Sequence, residues 1–289
     1  MLHPGEGDGV LAQANNQLAT AQRAAPGANV NRDLANKVAI VTGGSQGLGE
    51  AVAREFADRG ISGLLLSGRN RERGEAVTAS LKDAGCDARF LPVDLADLDA
   101  VRTIVPDAQR AFGRLDILVN AAGDTDRGTV FDTTPELYER IMAVNLRAPF
   151  FLIQDAAELM RSQGTAGAIV NIQSMSAHGG QPFLCAYSVS KGALATLTKN
   201  AAYGLLAHRI RVNGLNIGWM ATPGEDAIMR RRHDAQDGWL DAAAAGQPFG
   251  RLLDPREVAR AVAYLASDES GLMTGSNIDF DQTILGARD

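Results

Sequence analysis

The amino-acid sequence predicts a single doubly wound α/β domain, with about seven parallel strands in one sheet and helices on both faces. Two observations predict it. Apolar runs recur at 38–41, 63–67, 88–93, 115–120, 168–172, 210–215 and 278–280, without the apolar–polar alternation of a strand that has one wet face. Segments of helical period separate each pair, so every strand feeds a crossover that covers one side of the sheet. Right-handed crossovers gather the strands' C-terminal ends, and any ligand with them, along one edge. Neither a second domain nor an internal repeat is visible.

Composition limits the function classes. The 289 residues are 45% hydrophobic, ample for one large core. With 28 basic against 34 acidic residues the net charge is −6, which leaves no broad basic face for nucleic acid or anionic lipid. Cys86 and Cys185 are far apart and outside any C-x-x-C or Cys/His cluster, so neither a disulfide framework nor a metal site is expected. That usage fits a reducing cytoplasm. No apolar run approaches the ~20 residues of a membrane span, and the N-terminus lacks a basic-then-apolar secretion signal.

Residues 1–35 are rich in Ala, Asn, Gln and Gly and contain Pro4 and Pro26. They read as a flexible extension, or alternatively as a short helix over 10–23 docking on a neighbouring subunit. The domain is expected over 36–289. Its first strand is followed by Thr42-Gly43-Gly44-Ser45-Gln46-Gly47-Leu48-Gly49 and an amphipathic run to Arg59. Gly43 permits a sharp turn, Gly47 lets the backbone approach a pyrophosphate, and Gly49 allows close helix–strand packing. The helix N-terminus offers free N–H groups to the phosphates. The T-G-x-x-x-G-x-G spacing departs from G-x-G-x-x-G, and alone it would equally suit a structural turn.

The second strand ends Ser67-Gly68-Arg69. A carboxylate there would accept both ribose hydroxyls; Gly68 removes it and Arg69 supplies a guanidinium for a 2′-phosphate, which favours NADP(H) over NAD(H). Stacking on adenine or solvation would also suit Arg69, and Gln46 stands where a second basic residue would help. Asp94 ends the third strand, as an acceptor for the adenine amino group or as a helix cap near Asp97. Asn120-Ala121-Ala122-Gly123 closes the fourth with small residues that leave room for a cofactor.

Asn145 sits inside the helical run 137–160, bonded to backbone or holding a water. Ser174 follows the strand at 168–172, thirteen positions before Tyr187. Tyr187 and Lys191, four apart, share a helix face. A phenol titrates near ~10, and an ammonium beside it lowers that value; yet Y-x-x-x-K pairs are common on ordinary helices. The segment between Pro223 and Pro248, within an insertion over about 219–250, is expected to cover the substrate. Its basic run 229–233 would attract an anion or form a solvated face. His178 reaches toward the substrate pocket or is held by backbone bonds, while Trp239 and Cys185 read as packing residues.

In this order, T-G-G-S-Q-G-L-G at 42–49, N-A-A-G at 120–123, Asn145, Ser174 and Y-S-V-S-K at 187–191 resemble the short-chain dehydrogenase/reductase family, in its shorter single-domain subfamily. The likeness covers residues 37–281. It implies a Rossmann-type domain that moves a hydride between NADP(H), or NAD(H), and an alcohol/carbonyl pair. By the same resemblance Tyr187 is the acid/base, Lys191 lowers its pKa and binds the nicotinamide ribose, Ser174 holds the substrate oxygen and Asn145 supports a relay water. The cofactor side would comprise Gly43, Ser45, Gln46, Gly47, Leu48, Gly49, Arg69, Asp94, Leu95, Asn120, Ala121, Gly123, Gly218 and Thr222, besides Tyr187 and Lys191. His178 would join Ser174 and Tyr187 at the substrate.

Two departures stand out: Ile217-Gly218 where the family commonly has Pro-Gly, and Asp281-Gln282-Thr283 where it has Asp-Gly-Gly. Family C-termini often lie near subunit contacts, so a homo-oligomer, tetramer or dimer, is expected. A catalytically silent nucleotide-binding regulator is the alternative. It would tolerate loss of Tyr187 or Lys191, and both are present. Polyols, sugars, cyclitols, steroids and acyl chains all remain open as substrates.

Overall fold

A computed structural model describes residues 32–286 of the chain. The expected extension falls outside the described residues up to Asn31. Residues 32–35 belong to the domain instead: Leu34 is 0% exposed in the core beside Phe56 and Ile61, and Asp33 pairs with Arg59 at 3.0 Å. The domain therefore begins before residue 36. A lone apolar side chain among polar neighbours leaves no compositional trace.

The elements alternate as the apolar runs require. They are β1 (Val38–Thr42), α1 (Gly47–Asp58), β2 (Gly63–Gly68), α2 (Arg71–Asp83), β3 (Asp87–Pro92), α3 (Leu98–Val101), α4 (Ile104–Phe112), β4 (Ile117–Asn120), α5 (Pro135–Met142), a π-helical turn (Ala143–Arg147), α6 (Ala148–Gln163), β5 (Ala168–Ser174), α7 (Cys185–Leu205), β6 (Arg211–Ile217), α8 (Pro223–His233), α9 (Trp239–Ala245), α10 (Pro255–Ala266) and β7 (Asn277–Phe280). The strands form one parallel sheet in the order β3-β2-β1-β4-β5-β6-β7. Val52 and Phe56 of α1 and Val258 and Val262 of α10 cover one face. Ile104 of α4 and Leu152 and Met160 of α6 cover the other. With both faces dry, the strands read as apolar runs.

The chain reverses between β1 and β4, so the loops that follow these strands part and open a crevice at their C-terminal ends. A buried polar strip fixes what faces it. Asn120 Nδ2 donates to Asn171 Oδ1 at 2.8 Å, while Asn171 Nδ2 and Gln173 Nε2 each donate to Thr198 Oγ1 at 2.9 Å. Thr198 lies on α7, so these bonds lock that helix in register against β5. The run 137–160 is not one helix. It widens into the π turn at Ala143–Arg147, where Asn145 turns inward and is fully buried. Among the described residues, no helix is long and apolar enough to cross a membrane.

Candidate active site

The crevice is a cleft of about 1170 Å³ whose walls come from the loops after β1, β4, β5 and β6 together with α8. Its floor is the glycine turn. Gly43 and Gly47 have φ of +71° and +58°, in the left-handed region where a side chain is strained. A Cβ at Gly43 would stand 2.9 Å from Ala122 Cα, and one at Gly49 would stand 2.3 Å from the Gly43 carbonyl oxygen. Thr42 Oγ1 accepts from the N–H groups of Ala121 and Ala122, which stitches the β1 and β4 loops together. Gln46, the N-cap of α1, gives the helix no side-chain cap. Its oxygen accepts from Arg73 Nη1 at 2.6 Å instead. The first-turn N–H groups of α1 thus face the cleft without a side-chain acceptor, an arrangement that fits an anionic diphosphate.

Beside this floor, β2 ends without a side chain. A Cβ on Gly68 would lie 3.2 Å from Ser45 Oγ and 3.7 Å from the Phe90 ring. Ser45 and Arg69 both line the cleft there, and Arg73 stands next to them through its bond to Gln46. Two guanidinium groups and a hydroxyl suit a phosphate monoester better than a ribose diol.

At the far end Ser174 closes β5, its hydroxyl accepting from Ser176 N at 3.1 Å. Tyr187 and Lys191 rise one turn apart on α7, and both are buried. Lys191 Nζ donates to the Ile172 carbonyl at 2.8 Å and lies 5.7 Å from the Tyr187 ring centroid. Burial pushes the Tyr187 phenol up to about 12 while the Ser174 hydroxyl acts the other way; burial pulls Lys191 down to about 8. Desolvation dominates, and the ammonium is directed at a carbonyl oxygen. A Cβ on Gly123 would lie at ordinary contact distance from Lys191 Nζ (3.6 Å) and Asn145 Oδ1 (3.7 Å), so the β4 loop runs beside both side chains.

A family profile described as Enoyl-(Acyl carrier protein) reductase matches residues 43–282. An uncharacterized oxidoreductase of Thermotoga maritima is 37% identical over 245 residues, which are 85% of this chain and 96% of the relative. The NADP-dependent (R)-specific alcohol dehydrogenase of Lentilactobacillus kefiri is 33% identical over 251 residues, 86% and 96% of the two chains. The crystal structure of a short-chain type dehydrogenase/reductase from Mycobacterium marinum matches with a TM-score of 0.80 at 30% identity, covering 89% of this chain and 98% of that one. The chain belongs to the short-chain dehydrogenase/reductase family. It is an oxidoreductase acting on the alcohol/carbonyl pair of a small molecule. No observation supports the regulator reading.

In this short-chain dehydrogenase/reductase most expected residues converge. Gly43, Ser45, Gln46, Gly47, Leu48, Gly49, Arg69, Asp94, Leu95, Ala121, Gly123, Ser174, Tyr187, Lys191, Gly218 and Thr222 all line the one cleft. Asn120 does not; its amide is spent on Asn171 beneath the floor. Asn145 bonds the Asp124 backbone at 2.8 and 2.9 Å and Ser190 Oγ at 3.0 Å, so its side chain fixes the β4 loop to α7. Asp94 accepts from Ala96 N while Asp97 caps α3. His178 is not a cleft residue: its Nε2 sits 3.0 Å from Asp279 Oδ1 and 3.3 Å from Asn216 Nδ2, at the β6–β7 side of the sheet.

The departures also find explanations. Any side chain at Gly218 would strike the Asp281 carboxylate, so glycine persists although the preceding proline does not. Gln282 bonds the Arg251 carbonyl and the Phe249 amide, fastening the C-terminal segment so that Asp281, Thr283 and Leu285 form part of the cleft wall. The basic run 229–233 is a solvated helix face, with Arg230, Arg231, Arg232 and His233 exposed, and its arginines are paired with carboxylates. Arg232 bonds Asp126 at 2.7 and 2.9 Å, Arg231 approaches it at 3.5 Å, and Arg230 pairs with Asp226 and Asp237. Hydrogen bonds from the Arg232 side chain, the Arg127 backbone N–H and the Arg140 side chain hold the Asp126 carboxyl well below the usual carboxylate range. Sequence reasoning missed Arg73, Asp126, Arg127 and Glu225. The basic spacing Arg69-Arg71-Arg73 was a visible signal for the first; the others meet only in space.

Proposed function

We propose that this enzyme interconverts an alcohol and a carbonyl with NADP(H), using Ser174, Tyr187 and Lys191 for the proton chemistry. The observation that carries the reading is that these three side chains end in the same cleft as the glycine turn and the open N-terminus of α1. The nicotinamide, when bound, supplies or accepts the hydride. In the reductive direction Tyr187 Oη gives its proton to the substrate oxygen as negative charge develops there, and Ser174 Oγ donates a hydrogen bond to the same atom. Lys191, as an ammonium, favours the phenolate that remains. In the oxidative direction the proton returns to Tyr187. Asn145, whose carboxamide bonds the Asp124 backbone and Ser190 Oγ, has a positioning role that ties the β4 loop to α7 beside Lys191.

NADP(H) over NAD(H) is supported by Gly68, by Arg69 and Ser45 in the cleft and by Arg73 held against Gln46. The Lentilactobacillus relative is NADP-dependent by name. The two free cysteines suit a reducing cytoplasm; the proposed homo-oligomer, dimer or tetramer, is tested by light scattering. The deciding experiment follows the absorbance of the reduced nicotinamide across a panel of alcohols and carbonyls, with each cofactor at equal concentration. Turnover with a preference for NADP(H) is expected. A clear NAD(H) preference would reject the cofactor assignment, and silence across the panel would reject the reaction.

A further inference from the structure

Arg127, from the loop after β4, and Glu225, from the first turn of α8, meet across the cleft at 3.1 Å. Their side chains are 13% and 15% exposed, so the pair is largely sheltered from solvent screening. Its place is set by the element that carries Tyr187. Gly128 N donates to the Phe183 carbonyl and Cys185 N to the Gly128 carbonyl, pinning the residue after Arg127 to the start of α7. The guanidinium also lies 5.8 Å from the centroid of the Phe183 ring. Tyr187 feels both charges.

The hydrogen bonding of the pair is incomplete. Arg127 donates from Nε to His233 Nε2, from Nη1 to the Thr125 carbonyl and from Nη2 to Glu225 Oε1. Two of its five N–H groups are left without a protein partner among the described residues. Glu225 Oε1 also accepts from Trp219 Nε1 at 3.0 Å, whereas Oε2 has no partner among the described residues. A hydroxyl group answers both needs, accepting from Arg127 and donating to Glu225 Oε2. An acyl chain or plain hydrocarbon would bury these groups unsatisfied. An anionic group would meet the Glu225 charge that already compensates Arg127.

We infer that Arg127 and Glu225 are specificity-determining residues that select a neutral substrate carrying a second hydroxyl beyond the reacting one. The inference rests on the hydride-transfer reading above. The test compares kcat/KM for cyclohexanol, the isomeric cyclohexanediols and a cyclohexanol bearing a carboxylate, in the wild type, Glu225→Gln and Arg127→Lys. The wild type is expected to favour at least one diol over cyclohexanol by about tenfold or more, chiefly through KM. Glu225→Gln should pull that ratio toward one and raise the relative rate on the carboxylate, because Arg127 is then uncompensated. Arg127→Lys keeps a cation opposite Glu225 but loses the planar fork, and should lower the same ratio even where Glu225→Gln fails to fold. A wild type that treats every diol like cyclohexanol, or variants that leave the ratio unchanged, would overturn the inference while leaving hydride transfer intact. No turnover of any alcohol overturns hydride transfer itself.

Discussion

Burial acts on Tyr187 and Lys191 in one physical sense, favouring the neutral form of each, and so moves their pKa values in opposite directions, to about 12 and about 8. Under the proposed chemistry Tyr187 stays a competent acid across the neutral range. Tyr187→Phe is expected to lower kcat by about 10²- to 10⁴-fold, with NADPH affinity by fluorescence titration reporting that the cleft persists; near-normal turnover would reject the mechanism. Lys191 titrates below its ordinary 10.5, so the folded protein at neutral pH carries an ammonium that the unfolded chain keeps in water. That cost is fully present below about 8 and is relieved as pH rises from there to 10.5. Lys191→Met should therefore raise the melting temperature at neutral pH while abolishing turnover. A lower melting temperature would mean that the bond to the Ile172 carbonyl outweighs the burial.

The proposed NADP(H) selectivity belongs to element ends. β2 stops at Gly68 and α1 starts at Gly47, and these ends line one corner of the cleft, where Arg73 of α2 reaches Gln46. Gly68→Asp puts a carboxylate beside Ser45, where a Cβ already approaches the hydroxyl at 3.2 Å, and opposes a 2′-phosphate while accepting a ribose diol. The ratio of kcat/KM for NADPH over NADH should fall about tenfold or more, in line with a lost charge-assisted contact. An unchanged ratio would show that Arg69 and Arg73 do not read the phosphate. The π turn at Ala143–Arg147 belongs to this scale as well. It carries Asn145, which is fully buried on the same side as Ile141, Ala148 and Leu152.

At the scale of the molecule, α8 is fastened to the β4 loop by Asp126, which collects Arg140, Arg231 and Arg232. The arginines are partly exposed, so each bond is modest and salt-sensitive. Asp126→Asn should raise KM more than it lowers kcat and speed proteolysis within 219–250; an unchanged cleavage rate would show that packing alone holds α8. Because the Asp126 pKa is depressed, its contribution is present above the ordinary 3.8 and is lost as pH falls. The fold class, the glycine turn and the Ser174, Tyr187 and Lys191 set were legible in the chain, because each depends on local spacing: apolar runs, a strand–turn–helix unit, a four-residue helical repeat. Tertiary structure alone decided the rest. It gave Asn120 and His178 partners away from the cleft, joined Leu34 to the core and brought Arg127 to Glu225 from positions 98 residues apart. Those outcomes depend on burial and on which polar groups meet across the sheet, quantities that no run of neighbouring residues encodes.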